Sequence, residues 1–201
     1  TITANTVSSI VVSPSEDITV KVGESVAFTA SAFDDLGNEV DGVSFLWGLD
    51  CGDCLGYFEG STLHVTTPGE ARAVASVNGV SGQSGLITAR PGNLARMELF
   101  ISASQVVKQP LLGQAYLVLY DGFGNLKTDY SLSGNPIYLR TTGSQLVPDV
   151  IDDDALLVNG SIDLIPVGIT YQGMSATTAI YADDNTVMSN SVNVSFNGYD
   201  V

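Results

Sequence analysis

Apolar and polar residues alternate with a period of two along most of the chain. Ile10 and Val12 alternate in one short run, and Val43, Phe45 and Trp47 alternate in another. Such runs predict β-strands, because successive side chains of a strand point to opposite faces. Gly, Pro, Asn and Asp separate the runs, and helical periodicity is absent. The pattern therefore predicts an all-β protein.

One ten-residue phrase occurs twice, about half a chain apart. Residues 32–41 read AFDDLGNEVD, and a second copy beginning at residue 119 reads LYDGFGNL. In both copies an alternating run ends in an acidic residue, which a Gly-Asn pair follows. Asp and Asn bond to their own main chain, and Gly takes positive φ without steric cost, so each phrase predicts a strand that runs into a tight turn. Two copies indicate two similar β domains in tandem.

The turn signals divide the chain near its middle. Residues 1–91 contain about seven short alternating runs, which favours a β-sandwich, and residues 1–7 are a possible extension strand. Arg90-Pro91-Gly92-Asn93 is a short linker, so we expect the two domains to be semi-rigidly stacked. Residues 92–201 repeat the plan, with a polar, acidic insertion near residues 143–154.

Four segments of the first domain follow a known order. They are the strand VGESVAFTA at residues 22–30, the turn DDLGN at residues 34–38, Trp47, and the segment TTPGEA at residues 66–71. In this order they resemble the bacterial immunoglobulin-like domains of intimin, invasin and many other surface proteins. The resemblance covers residues 8–91 well.

The second half matches this family less closely. It keeps Asp121 and the Gly124-Asn125 pair but lacks counterparts of Trp47 and of the PGEA segment. The resemblance implies two tandem immunoglobulin-like β-sandwich domains in an extracellular, modular protein. Stalks, adhesins, filament subunits, and spacer or binding modules of secreted enzymes are built from such domains. It transfers no catalytic residue to this chain.

The charge balance excludes several classes of partner. The chain has 22 acidic and 7 basic residues, for a net charge of −15. This surface repels phosphate backbones and anionic lipids, so we expect no nucleic-acid partner and no membrane-surface binding. The sequence contains no run of 18 apolar residues, so we expect no membrane insertion. Cations and neutral polymers remain compatible with the charge.

Cys51 and Cys54 form a C-x-x-C motif that has three interpretations. A redox motif needs a lowered thiol pKa, but Asp50 and Asp53 flank the thiols and no helix follows. A structural zinc site needs four ligands, and His64 is the only histidine. A local disulfide in an oxidising compartment is the favoured interpretation.

Acidic clusters invite a calcium interpretation. The run Asp152, Asp153 and Asp154 is the best candidate, because three adjacent like charges repel unless a cation or solvent compensates them. No cluster has the spacing of a known calcium loop, so solvated turn residues are the alternative. We therefore expect no cofactor, with Ca²⁺ as a weak candidate.

Enzymatic function has little support in the sequence. A Ser-His-Asp triad would have to use His64, which lies in an alternating run and is expected to point out of a strand. No G-x-S-x-G motif occurs, and paired carboxylates in a glycosidase require a deep cleft. The chain is therefore expected not to be an enzyme.

Aromatic residues and two sequons are the remaining candidate features. Exposed aromatics on one sheet face would form a carbohydrate-binding surface, whereas Trp47 and most Phe residues are expected to fill the cores. Asn159 and Asn193 each begin an N-x-S sequon and are candidate glycosylation sites.

The first seven residues are uncharged and rich in β-branched residues. Ile2, Ala4 and Thr6 are therefore candidates for strand donation to the sheet edge of another molecule, or they extend the first strand of their own domain. The sequence thus predicts an extracellular or cell-surface structural module of a stalk, adhesin or polymerising filament. Its expected partners are other copies or neighbouring surface-protein domains. A carbohydrate-binding or spacer module of a secreted hydrolase, with polysaccharide as a possible partner, is the alternative.

Overall fold

The computed structural model describes residues 6–198, which fold into two compact units: unit 1 comprises residues 6–92 and unit 2 comprises residues 93–198. The boundary lies one residue later than the sequence predicted. Both units are built from β-strands, and the helical structure of residues 6–198 is one 3₁₀ turn at Asp154–Leu156. Within these residues, no helix has the length and hydrophobicity needed to cross a membrane.

Unit 1 contains nine strands. They are β1 (Ser9–Ser13), β2 (Ile18–Lys21), β3 (Ser25–Ala27), β4 (Thr29–Phe33), β5 (Leu46–Leu49), β6 (Gly56–Glu59), β7 (Thr62–Val65), β8 (Gly69–Val77) and β9 (Val80–Arg90). One sheet has the order β2-β9-β8-β5, and the other layer consists of the pair β1-β4 and the sheet β3-β7-β6. Phe28, Leu63 and Ile87 are fully buried in the core of this unit. Unit 1 is an immunoglobulin-like β-sandwich.

Two glycines of β9 let the chain cross from one layer to the other. A Cβ on Gly82 would overlap the carbonyl group of Ile10, and a Cβ on Gly85 would overlap that of Glu16. The backbone N–H of Gly85 also donates to the carbonyl of Pro14 at 3.2 Å. The segment between β1 and β2 therefore lies directly on β9.

Unit 2 contains eleven strands. They are β10 (Leu94–Ile101), β11 (Ser104–Val106), β12 (Ala115–Asp121), β13 (Ile137–Thr141), β14 (Leu146–Val147), β15 (Val150–Ile151), β16 (Leu157–Val158), β17 (Ser161–Asp163), β18 (Thr170–Tyr171), β19 (Ala176–Asp183) and β20 (Val192–Asn197). The two main sheets have the orders β10-β12-β17-β16 and β11-β20-β19-β13-β15, and β14 pairs with β18. Leu117, Ile162 and Val194 are fully buried between these sheets.

The two units share one strand plan. The order β2-β9-β8-β5 of unit 1 corresponds to β11-β20-β19-β13 of unit 2, with the same parallel and antiparallel pairings. The difference is β15, which adds a fifth strand beside β13. The chain is therefore two tandem immunoglobulin-like β-sandwiches, as the sequence predicted.

The repeated phrase forms the same turn in both units. The carboxylate of Asp34 accepts hydrogen bonds from the backbone of Leu36 and of Asn38, and Asp121 accepts the same bonds from Phe123 and Asn125. The glycines before the asparagines take φ values of +81° and +85°. Both aspartates are buried. The turn is thus closed by a buried carboxylate that replaces missing backbone partners.

Two details of unit 1 differ from the expectations. Thr6 and Val7 lie outside any strand, so they do not extend β1. Trp47, which the sequence predicted to fill the core, is only half-buried and lies opposite Ala75 in the β5–β8 ladder. Trp47 packs beside Phe28 and Phe58, with ring centroids 6.2 and 5.9 Å away.

Candidate functional site

The cysteines lie in the loop that follows β5. Cys51 and Cys54 are joined by a disulfide, with their Cα atoms 5.9 Å apart. Asp50, at the start of this loop, accepts a hydrogen bond from the backbone of Arg72 at 2.9 Å and so ties the loop to β8. Because both sulfurs are in the disulfide, the motif provides no free thiolate for catalysis or for a metal.

His64 occupies an exposed sheet face, with three polar neighbours. Its Nδ1 is 2.9 Å from the hydroxyl of Ser25, its Nε2 is 3.4 Å from Glu59, and its ring stacks on Tyr57 at 5.1 Å. A hydroxyl, an imidazole and a carboxylate in a row are the elements of a nucleophile relay, which sequence reasoning did not find. Hydrolases hold such a relay in a water-excluded site beside oxyanion donors, whereas this one lies on an open strand surface.

The calcium candidates have roles within their own loop. Asp153 caps the 3₁₀ turn by accepting from the backbone of Ala155 at 2.9 Å. Asp154 accepts hydrogen bonds from the hydroxyl and the backbone N–H of Ser133, and these bonds lower the pKa of Asp154. Asp152 is exposed. In residues 6–198, no group of three or more His, Cys, Asp or Glu side chains is placed to hold a metal ion.

The sequons lie at different kinds of position. Asn159 is exposed in the tight turn between β16 and β17, with a φ of +51°. Asn193 is exposed within β20. Both asparagines therefore stay candidates, and the turn position gives a modifying enzyme freer access to the backbone.

A polar depression of unit 2 was not expected from the sequence. Tyr130 donates to Asp184 at 2.9 Å, and Lys127 contacts Asp129 at 2.6 Å. Burial raises the pKa of Tyr130. Burial alone would raise the pKa of Asp184. Hydrogen bonds from the backbone and side chain of Thr186 and from its neighbours outweigh burial, so the pKa of Asp184 is lowered. The charged groups of this depression thus already have partners: Lys127 pairs with Asp129, and Asp184 accepts hydrogen bonds from neutral groups.

The outer face of the β10–β12 pair has one exposed aromatic ring, Phe100, and two half-buried ones, Tyr116 and Tyr120. Phe100 and Tyr116 stack with centroids 4.7 Å apart, and the guanidinium of Arg96 lies 3.9 Å from the ring centre of Tyr120. Cross-strand pairs of this kind stabilise a sheet. One face of each of these rings is thus already covered, and the other faces and edges are what remains for a sugar ring.

The sheet edge at β5 is the main structural difference between the two units. Among the described residues, β5 pairs with β8 alone, whereas its counterpart β13 lies between β19 and β15. The inward residues Ile137 and Leu139 of β13 are 0% and 2% exposed, but Trp47 and Leu49 of β5 are only half-buried. Within residues 6–198, the β5 edge of unit 1 therefore has no partner strand at the place where unit 2 has an additional strand.

The strand-donation candidates lie at the N-terminus. Ile2 and Ala4 fall outside the described residues. Thr6 is exposed and lines a shallow depression with Val43 and Ser44, just before β5 begins.

A scan against protein-family models and a search of curated proteins find no match to this chain. Among solved structures, domains 1–6 of the surface layer protein SbsC are similar at 16% identity and a TM-score of 0.40, over 98% of this chain and 28% of that chain. Domains 4 and 5 of SbsC are similar at 15% identity and a TM-score of 0.38, over 96% and 98% of the two chains.

The N-terminal Ig1-2 module of the Drosophila receptor protein tyrosine phosphatase DLAR is similar at 12% identity and a TM-score of 0.25, over 95% and 99% of the two chains. This chain thus spans 28% of the six-domain SbsC structure. Similarity at these values carries no argument about function. The specific resemblance to intimin and invasin stays a prediction.

Proposed function

We propose that this chain is a non-catalytic structural module of an extracellular or cell-surface protein, and that it resists tension along the chain. The observation that carries the proposal is a parallel strand pair repeated in both units. Ile18–Lys21 of β2 pairs in parallel with Ile87–Arg90 of β9. Ser104–Val106 of β11 pairs in parallel with Ser195–Asn197 of β20. In each unit an early strand is thus joined to the last strand.

Parallel pairing of these strands determines how force acts on them. Tension reaching β2 from the N-terminal side pulls at the start of that strand, whereas tension leaving unit 1 pulls at the end of β9. The two forces act on opposite ends of one ladder, so its hydrogen bonds are loaded together in shear. Backbone bonds from Val22 to Arg90 at 2.9 Å and from Val107 to Asn197 at 3.0 Å lengthen the two ladders. Many bonds loaded together resist a force better than bonds that break one at a time.

The location of the module outside the cytoplasm has separate support. The disulfide between Cys51 and Cys54 is typical of oxidising compartments. A net charge of −15 disfavours nucleic acid and anionic lipid as partners and keeps a crowded surface protein soluble. A stalk, an adhesin and a polymerising filament all transmit tension, and in each of them the natural partners are other copies or neighbouring domains.

Force spectroscopy on the full chain tests this function. With the two chain ends held, we expect two separate unfolding events, one for each unit, because each unit has its own core. Each event should release about 300–400 Å of chain, since an extended residue spans ~3.3–3.6 Å. A chain that extends smoothly at low force would contradict the proposal.

A carbohydrate-binding module is a second candidate function. The support is the aromatic surface of Phe100, Tyr116 and Tyr120 on unit 2. Titration of soluble polysaccharides against the full chain and against Tyr116→Ala tests it. Saturable binding that the substitution weakens would favour this candidate, and an absence of binding would remove it.

A further inference from the structure

The open edge of β5 indicates how copies of this chain interact. We infer that β5 accepts an extended strand from a second copy, and that this strand is the N-terminal segment, residues 1–7. The inference deepens the proposed structural function and rests on it. It identifies the second copy as the partner and β5 as the acceptor.

Half of the backbone N–H groups of β5 point away from its partner strand β8. The N–H of Asp50 donates to Arg72 of β8 at 3.1 Å. Because N–H directions alternate along a strand, the N–H groups of Trp47 and Leu49 point away from β8. The carbonyl of Leu49 accepts from the N–H of Gly52 at 3.2 Å, so among residues 6–198 it is the N–H groups of Trp47 and Leu49 that remain as a template for another strand.

The second argument is Gly48, in the middle of this short strand. Its φ is not positive, and a Cβ built on it meets no atom within 4 Å. Neither backbone conformation nor packing within the described chain therefore requires glycine there. A glycine inside a strand often marks the close approach of another backbone. Gly48 lies in a shallow trough on the outer sheet face, between Leu46, which is 75% exposed, and Val74.

The third argument comes from unit 2, where the equivalent edge is occupied. Val150 and Ile151 of β15 pair antiparallel with Tyr138 and Ile137 of β13, and the N–H of Leu139 donates to Asp149 at 2.7 Å. A short, extended, β-branched segment is thus the kind of occupant that this edge accepts. The other exposed edge of unit 2 is protected differently, because the side chain of Asn190 bonds to both backbone groups of Leu99 in β10.

Residues 1–7 have the chemistry of such an occupant. The segment TITANTV is uncharged and contains four β-branched residues other than Thr1, and Ile2, Ala4 and Thr6 share one face of it when extended. Lack of charge matters because Asp50 and Asp53 lie at the end of β5. An acidic donor would be repelled there.

We assign the segment to a second copy. In the same copy, Thr6 lines a depression with Val43 and Ser44, just before β5. An intramolecular contact is therefore the alternative that the deletion variant distinguishes. Because donor and acceptor surfaces differ, the contact is head-to-tail and extends into a chain of copies unless it closes into a ring.

Trp47 is a natural reporter for this contact, since it is the only tryptophan and lies within β5. The test uses the full chain, a variant lacking residues 1–5, and a synthetic peptide of residues 1–7. The acceptor variant is Gly48→Lys, which has room for its side chain and places a charge on the edge. Gly122→Lys is the matched control, because Asp35 occupies the equivalent position of the first turn.

We expect the full chain to associate in a concentration-dependent manner in sedimentation velocity, and the deletion to abolish association. The peptide should shift the Trp47 emission of the deletion variant to the blue. Gly48→Lys should weaken the affinity for the peptide at least about tenfold, although the substitution makes the surface less negative. Gly122→Lys should leave the affinity for the peptide within about twofold of its original value.

Three results would overturn the inference. The first is association that Gly48→Lys does not change, which would place the acceptor elsewhere. The second is a monomeric full chain whose Trp47 emission shifts to the red on deletion, which would place the segment on its own β5. The third is the absence of any effect of the peptide on Trp47. The force measurement does not depend on any of these results, so the proposed function can fail or stand separately.

Discussion

Asp34 and Asn38 are joined through both backbone and side chain: the backbone N–H of Asn38 donates to Oδ1 at 2.8 Å, and its side-chain amide donates to Oδ2 at 3.1 Å. Asp121 and Asn125 repeat this arrangement in unit 2, at 2.9 and 3.1 Å. The asparagine side chain therefore holds the carboxylate while the carboxylate holds the turn. This reciprocity explains why the phrase contains both residues at a spacing of four.

Substitution of the turn carboxylate should destabilise its unit. Asp121→Ala leaves the backbone N–H groups of Phe123 and Asn125 without the carboxylate that they bond in the native turn. We expect unit 2 to lose about 1–3 kcal/mol of unfolding free energy. Hydrogen exchange read by mass spectrometry reports this for each unit separately. Asp152→Ala, which changes an exposed carboxylate, should stay within about 0.5 kcal/mol of the wild type.

The same carboxylate makes the stability of unit 1 depend on pH. The hydrogen bonds from Asn38 lower the pKa of Asp34 from its ordinary value of 3.8. A lowered folded-state pKa contributes stability above the unfolded pKa, and this contribution is lost as the pH falls through the folded value. The variant Asp34→Asn lacks this charge-dependent contribution at every pH, because its side-chain amide does not titrate in this range.

We therefore expect the stability difference between wild type and Asp34→Asn to be largest at neutral pH and to shrink well below pH 3.8. Urea titrations followed by the fluorescence of Trp47 at a series of pH values measure this. A difference that stays constant across the series would show that the charge of Asp34 does not stabilise the turn.

The local elements of this fold could be predicted from the sequence. The alternation of Ile10 and Val12 predicted a short strand, and both residues lie in β1. The alternating run Val43, Phe45 and Trp47 predicted a longer strand than the structure has, because β5 begins at Leu46, although all three side chains are half-buried. Where a strand does form, side-chain direction follows sequence with a period of two.

The burial of Trp47 could not be predicted, because it depends on whether another strand covers the edge. Phe28 is 2% exposed, whereas Trp47 is half-buried. Phe28→Ala should therefore cost about 3–5 kcal/mol, and Trp47→Ala only about 2–3 kcal/mol. Hydrogen exchange in unit 1 compares the two variants without requiring tryptophan fluorescence. A larger loss for Trp47→Ala would mean that Trp47 is the principal residue of this core.

Long-range pairings were the main features that the sequence did not reveal. The polar insertion at residues 143–154 contains β15, which covers β13, and its acidic composition gave no sign of this. The parallel ladders of β2 and β11 join segments far apart in the chain, so no local pattern identifies their partners. The row of Ser25, His64 and Glu59 likewise depends on three separate strands or strand ends meeting on one face.

The disulfide should stabilise unit 1 only slightly. A bridge between Cys51 and Cys54 closes a very short loop, for which the chain-entropy model gives about 2 kcal/mol or less. We expect the double variant Cys51→Ser, Cys54→Ser to fold. Its free energy of unfolding, measured by urea titration, should fall by about 2 kcal/mol or less. Intact mass should rise by two hydrogen atoms on reduction, and rapid alkylation of the unreduced protein would contradict the assignment.

Pulling geometry tests the proposed resistance to tension most directly. Unit 1 is unfolded twice, once with handles at the two chain ends and once with one handle at the N-terminal end and one on Ser81, an exposed residue at the start of β9. The first geometry loads the β2–β9 ladder in shear, and the second loads the same bonds from one end, so that they break in sequence. The account predicts a several-fold higher unfolding force in the first geometry. Equal forces in the two geometries would contradict it, because the parallel ladder would then not be the element that resists tension.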